Sequence, residues 1–191
     1  MLEYEKKIML TQDEFKVLLE QMGKGAKTVI QTNRYFDTDD YFMSKNNITC
    51  RIRDKEGVYV STIKAHSING CSMEKDLHVT DDPNCNVFQR FGAKFKGELK
   101  TKRTVIHKDQ NCEIVLDANS YLGYEDYELE VEYSERYEEQ AIKLIGKVAN
   151  ILVLSDFICD SSELIARIGK GASKSERFFN RLINSDVRCQ N

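Results

Sequence analysis

The stretch Tyr127-Glu128-Leu129-Glu130-Val131-Glu132-Tyr133 alternates carboxylates with apolar residues. Period-two alternation with β-branched and aromatic residues marks a β-strand, which sends alternate side chains to opposite faces. Three carboxylates on one face repel each other unless a cation cancels the charge, and hard divalent cations take oxygen ligands of this kind. The N-terminal stretch 2–8 repeats the habit, with Glu3, Glu5 and Lys7 on one face and Leu2, Tyr4, Lys6 and Ile8 on the other. For either strand alone, a solvated outer face is the simpler explanation.

Further strands weaken that explanation because their charges sort by sign. In Cys50-Arg51-Ile52-Arg53-Asp54, Arg51 and Arg53 share a face. In 58–64, Lys64 lies with Thr62 and Val60; in 101–107, Arg103 lies with Thr101 and Val105; in 112–117, Glu113 and Asp117 lie opposite Ile114 and Leu116. Guanidinium forks match phosphate oxygens, and an ammonium is a compact partner for the same charge. A closed barrel packs apolar residues outward against helices and keeps a polar, hydrated interior. Basic strands and acidic strands facing inward together make a cavity for a metal–polyphosphate complex.

The elements that must hold these residues are legible from pattern. After the first strand, Thr11 and Glu14 fit a capping box, and Phe15, Leu18, Leu19 and Met22 recur at helical spacing before Gly23 and Gly25. Residues 28–40 read as a strand and an Asp-rich turn. Two strands, 48–54 and 58–65, are joined by Lys55-Glu56-Gly57, and 72–80 reads as another strand. The stretch 81–100 reads as a loop with a short helix. A second hairpin joins 101–107 to 112–119, and the acidic strand comes next. Tyr137, Ala141, Leu144, Ile145 and Val148 then mark a long helix. Two shorter helical stretches flank Gly169-Lys170-Gly171, which lacks the spacing of a phosphate-binding loop and reads as a helix stop.

This order gives an α+β protein around a large, mainly antiparallel sheet, with 1–191 as one domain. The chain of 191 residues has a single proline and a formal net charge of −3, so there is no overall basic footprint for nucleic acid. Early charges interrupt any signal-peptide pattern, and no apolar run reaches membrane-spanning length. The six cysteines form no CxxC pair, and His66, His78 and His107 have no metal-ligand spacing. A cytoplasmic protein with reduced thiols is expected, with neither nucleic-acid nor membrane partners; composition does not set the oligomeric state.

The residues carry a resemblance. Glu3-Tyr4-Glu5-Lys6-Lys7 has the form ExExK, and after it come, in order, Tyr35–Asp40 (YFDTDD), Arg51–Arg53, Lys64, Lys102-Arg103, Leu116-Asp117, 128–132 (ELEVE) and 173–179 (SKSERFF). This ordered set resembles the CYTH superfamily, the triphosphate tunnel metalloenzymes, over nearly the whole chain. The layout is most like that of the bacterial YjbK-like CYTH proteins. The resemblance implies an eight-stranded antiparallel β-barrel, a triphosphate tunnel, flanked by helices. It implies metal binding (Mg²⁺ or Mn²⁺) by Glu3, Glu5, Asp117 and the carboxylates Glu128, Glu130 and Glu132. The family's ExE pair matches either Glu128 and Glu130 or Glu130 and Glu132. It implies a triphosphate held by Lys7, Arg51, Arg53, Lys64, Arg103 and Lys174, with Lys7 also a candidate for activating the nucleophile. Glu74 is an additional carboxylate on a middle strand. The expected activity is metal-dependent hydrolysis of inorganic or small organic triphosphates. Adenylate cyclase activity, or polyphosphate or nucleotide binding without catalysis, remain the alternatives.

Overall fold

The structure is a computed structural model. It describes residues 2–66, 71–82 and 87–189, and the side chains of all of these except 2, 3, 66, 71, 72 and 186–189. Eight strands are present: β1 (Leu2–Leu10), β2 (Lys27–Asp37), β3 (Ile48–Lys55), β4 (Val58–His66), β5 (Cys71–Thr80), β6 (Lys94–Lys108), β7 (Cys112–Tyr121) and β8 (Tyr124–Tyr133). They form a closed antiparallel barrel in the order β1-β5-β4-β3-β2-β6-β7-β8, with β8 returning to β1. Five helices accompany them: α1 (Gln12–Met22), α2 (Phe42–Lys45), α3 (Glu138–Leu154), α4 (Ser161–Ile165) and α5 (Lys174–Cys189).

Local chemistry sets most boundaries. The Thr11 side chain accepts from the Glu14 N–H and the Glu14 carboxylate accepts from the Thr11 N–H, closing the expected capping box at the start of α1. Glu56 and Gly57 (φ 55° and 83°) make the β3–β4 turn, and Leu122 and Gly123 (φ 48° and 71°) the β7–β8 turn, both with the left-handed pair that tight hairpins require. The Asp-rich segment after β2 is a turn around buried Asp37, whose carboxylate accepts from the N–H groups of Thr38, Met43 and Ser44. It thereby starts α2, a one-turn helix that periodicity does not reveal.

One boundary departs from expectation. β6 begins at Lys94, so 94–100 is strand and not loop. Gly97 sits in it with φ 146°, and a Cβ there would stand 2.8 Å from the Phe178 ring. This glycine, in a stretch expected to be loop, is the point where α5 approaches the barrel wall.

The barrel's outside and inside divide as the alternation predicts. Ile8, Ile114, Leu116, Leu129 and Val131 point outward and pack with Phe15, Leu18, Leu144, Ile145, Val148 and Leu164 of α1, α3 and α4 in the largest core. A smaller cluster of Phe36, Cys50, Ile52, Phe88 and Ala93 backs β3. At one end of the barrel, Phe178 of α5 is fully buried among Tyr35, Leu99 and Tyr121, so α5 fills that end and leaves a cup rather than an open pipe.

Candidate active site

Antiparallel register decides which charges meet. Glu5 stands directly opposite Glu132, Lys7 opposite Glu130, and Met9 opposite Glu128 across β1 and β8. Asp117 on β7 faces Glu128 on one side and Arg103 of β6 on the other. Directly opposed residues share a face, so all of these look into the barrel. Of these, Glu5, Lys7, Arg103, Glu130 and Glu132 line one cavity of about 640 Å³, counted out to its open mouth, together with Arg51, Arg53, Lys64, Glu74 and Lys174, while Asp117 and Glu128 are fully buried. Glu3 is paired through its backbone with Ser72 on β5, and its side chain lies outside the described residues.

The wall made by β1, β6, β7 and β8 is an interleaved lattice of opposite charges. Arg103 grips Asp117 with two parallel bonds (Nε–Oδ1 3.0 Å, Nη2–Oδ2 2.7 Å), reaches Glu132 at 3.0 Å and also contacts Glu130. Lys7 lies 3.2 Å from Glu130 and 3.5 Å from Glu5. Asp117, Glu128 and Glu130 offer three carboxylate oxygens within 4.8 Å of one another, a geometry that suits a cation. The ammonium of Lys174 contacts all three, at 2.9 Å from Asp117 and Glu130. Burial alone would lower the pKa of Lys7 and of Lys174, but the surrounding carboxylates hold both well protonated. Burial likewise opposes the charge on Glu130, yet Lys174, Lys7 and Arg103 keep its carboxyl well below the usual range. Glu132 differs: burial outweighs Arg103, and its carboxyl is raised.

The deep end of this wall holds residues that the sequence analysis does not single out. Arg177 donates to Asp126 through Nε and Nη2 (2.8 and 3.1 Å), to Glu128 at 3.0 Å and to the Ala172 carbonyl at 2.6 Å. Asn119 donates to Asp126 and Glu128, and the Tyr121 hydroxyl to Asp126. Asp126 precedes Glu128 by two residues, Asn119 follows Asp117 by two, and Arg177 follows Lys174 by three. Strand and helix spacing thus held the signal for all three. Ser173 and Glu176 cap the start of α5, with the Ser173 hydroxyl accepting from the Glu176 N–H at 3.2 Å, so a capping pattern aims Lys174 into the cavity. Gly169, expected as a helix stop, donates its N–H to the Lys7 carbonyl at 2.9 Å and ties that segment to β1.

The opposite wall, β3–β4–β5, is basic. Arg51, Arg53 and Lys64 point inward together, and Arg53 donates to Asn33 at 3.1 Å. Burial, and repulsion from Arg51 and Arg103, bring Arg53 down to about 10. The Arg51 Nε is buried without a hydrogen-bond partner, a donor free for an anion. Glu74 lies on this wall rather than among the other carboxylates, 2.8 Å from Arg51 and 3.5 Å from Lys64. Arg103, grouped by sequence with the phosphate binders, lies in the acidic wall with its donors directed at carboxylates. Of the other residues weighed for chemistry, His107 pairs with Asp109 outside this cavity, and Cys50 and Cys112 are buried free thiols.

Comparisons with known proteins bear on the family and the fold. The CYTH domain family model matches residues 1–157. A Bacillus subtilis (strain 168) protein, YjbK, whose name provisionally assigns it triphosphatase activity, is 32% identical over 153 residues, covering 72% of this chain and 80% of its own. A Bacillus halodurans structure, described provisionally as an adenylate cyclase, superposes with TM-score 0.64 at 28% identity over 93% of this chain and 97% of its own. The Hippeastrum protein HpAC1, described provisionally as an adenylyl cyclase and as revealing a dominant triphosphatase activity, shares the fold with TM-score 0.64 at 18% identity, over 94% of this chain and 95% of its own. Barrel, inward charges and sequence relatives converge, and the chain belongs to the CYTH family.

Proposed function

We propose that this chain hydrolyses triphosphates, inorganic or small organic, in the barrel cavity with the help of a divalent metal, Mg²⁺ or Mn²⁺. The observation that carries the reading is the placement of surplus charge. On the acidic wall, Arg103, Lys174 and Arg177 match Asp117, Glu128 and Asp126, and Lys7 matches Glu130. Glu5 and Glu132, opposed in register near the mouth, are left in excess. On the facing wall, Arg51, Arg53 and Lys64 outnumber Glu74. Excess carboxylate facing excess guanidinium across one cavity suits a metal bound to a polyphosphate, each charge answering one wall.

The donor chemistry fits the metal. Glu5, Glu132 and Glu130 are the residues that would hold it, a reading that takes Glu130 and Glu132 as the ExE pair. Bound there, the ion would neutralise phosphate charge and lower the pKa of a water. The chain's own residues supply the rest. Arg51, Arg53 and Lys64 clamp the phosphate chain, and Lys7, held as a cation, stabilises charge on the reacting group rather than taking a proton from water. Lys174 reaches the same cavity from α5, so residues 1–191 act as one unit. Water adds to a terminal phosphorus as its bridging P–O bond breaks, giving orthophosphate and a diphosphate.

Among the described cavity residues, Tyr35 is the single aromatic, and its ring is buried against Phe178. The interior of this cavity therefore offers no stacking surface for a purine, which suits a compact triphosphate. No helix among the described residues is long and apolar enough to cross a membrane, in keeping with the cytoplasmic setting we infer. The test is a panel of triphosphate, thiamine triphosphate, ATP, GTP and pyrophosphate with Mg²⁺ and with Mn²⁺. Release of orthophosphate from a triphosphate is expected. Cyclic AMP with pyrophosphate from ATP would establish the cyclase, and tight binding without turnover a binding module.

A further inference from the structure

Among the described residues that line the cavity, Glu74 is the one carboxylate on the phosphate-facing wall. It is the direct register neighbour of Lys64 across β4 and β5, and it receives the Arg51 guanidinium at 2.8 Å and the Lys64 ammonium at 3.5 Å. Its side chain is 15% exposed and those of Arg51 and Lys64 about a tenth, so all three interact in a low-dielectric setting where charge competition is strong. The carboxylate therefore occupies Arg51 Nη2 and the Lys64 ammonium, donors that an incoming phosphate oxygen also seeks, and leaves Arg51 Nε open.

We propose that Glu74 is a specificity-determining residue, an internal anion that selects long phosphate chains over short ones. The inference rests on the triphosphate reading of the same cavity. An anion held by Arg51 and Lys64 must displace Glu74 from them. Orthophosphate and pyrophosphate, with few other cations in reach, bear that cost in full. A triphosphate extends past these residues to Arg53 and to the cations of the opposite wall, so it can be held with Glu74 left in place and bears less of it. Both products of hydrolysis are short phosphates, so Glu74 also favours their departure by reclaiming Arg51 and Lys64.

The experiment compares wild type, Glu74→Gln and Glu74→Asp by calorimetric titration with orthophosphate, pyrophosphate and triphosphate, without metal. Glu74→Gln keeps the size and an acceptor for Arg51 and removes the competing charge. Loss of one charged competitor should tighten pyrophosphate and orthophosphate about tenfold and triphosphate by less, narrowing the discrimination between them. Glu74→Asp, which keeps the charge but draws it back from both cations, should give part of the same narrowing and serves if the Gln variant does not fold. Equal tightening of all three ligands would overturn the proposal by reducing Glu74 to a contribution to overall wall charge. Weaker pyrophosphate binding would overturn it by showing that Glu74 orients Arg51 and Lys64. Because the titrations need no turnover, they decide on Glu74 even if wild type hydrolyses no triphosphate, the result that would defeat the functional reading alone.

Discussion

The two walls of the cavity solve opposite problems. The acidic wall is backed by α1, α3 and α4 through the main core, and its deep carboxylates are answered by cations of the same chain: Arg103 from β6, Lys174 and Arg177 from α5. Removing any one of these groups leaves a partner charged and buried. The basic wall has only a thin backing of Phe36, Phe88, Ala93 and their neighbours, and one cavity-lining carboxylate stands against Arg51, Arg53 and Lys64. The first wall is built to be stable without a ligand; the second keeps like charges crowded, a strain that an anion relieves. On the proposed function, binding energy would reside mainly on the basic wall, and structural integrity mainly on the acidic one.

The strongest way to break this division is to compare Glu130→Gln with Glu128→Gln. Each removes a buried carboxylate shared by several cations, and breaking such a group costs about 3–5 kcal/mol of stability. Both variants should show a clearly lowered melting temperature. Only Glu130→Gln, which also removes a proposed metal ligand, should lower kcat by about a hundredfold or more at saturating metal, measured well below its melting point. If Glu128→Gln loses turnover as completely, the deep carboxylates are part of the reaction centre and not a socket for α5. Acid sharpens the same point. Glu130 is held well below the ordinary glutamate value of 4.5. Its contribution to stability is therefore present above that value and lost as pH falls through the depressed folded pKa. Acid unfolding followed by circular dichroism should be less pH-dependent in Glu130→Gln below about pH 4.5.

Ligand stabilisation comes next in size. At about a hundred times its dissociation constant, a ligand of the folded state adds about 2.7 kcal/mol. Triphosphate with Mg²⁺ or Mn²⁺ should raise the melting temperature more than sulfate at equal ionic strength. Equal shifts would mean generic salt relief, with no recognition by the two walls.

Arg53→Ala should raise KM about ten- to a hundredfold, the equivalent of a charged contact worth about 1.5–3 kcal/mol, with stability little changed because the wall loses repulsion. Arg53→Lys should recover only part, since an ammonium cannot reproduce the fork. A kcat defect without a KM defect would move Arg53 out of the clamp.

The smallest expected effect concerns the stopper between the walls. Gly97→Ala places a methyl 2.8 Å from the Phe178 ring at a φ that side chains rarely adopt. Overpacking of this kind costs about 1–3 kcal/mol. Chemical denaturation should show the loss. A neutral result would mean that α5 can shift in its seat without consequence.

The barrel and its polarity were readable because each strand obeys a two-residue period. Alternation put Glu5, Lys7, Arg51, Arg53, Lys64 and Glu130 on the charged faces of their strands; the sorting of signs by strand and the family resemblance pointed those faces inward. The start of β6 was not readable, since Gly97 has the composition of a turn and its reason for being in a strand, Phe178, lies 81 residues away in the chain. Asp126, Asn119 and Arg177 escape notice for a related reason. Each sits at the correct spacing from a recognised residue, but nothing local distinguishes a buried ion-pair network from a solvated polar face.

By itself the sequence determined the alternation within most strands, the sign of each charged face, the capping box of α1, the hairpin turns, and the ordered set of motifs that resembles the CYTH family. These are local properties, dictated by backbone geometry within a few residues. Only the tertiary structure decided how the signs are paired. Register set Glu5 against Glu132, Lys64 against Glu74 and Arg103 against Asp117, and α5 delivered Lys174 and Arg177 from the far end of the chain. Coulomb energy depends on the distance and dielectric between two charges, and those quantities exist only once the strands have closed and water has been excluded from between them.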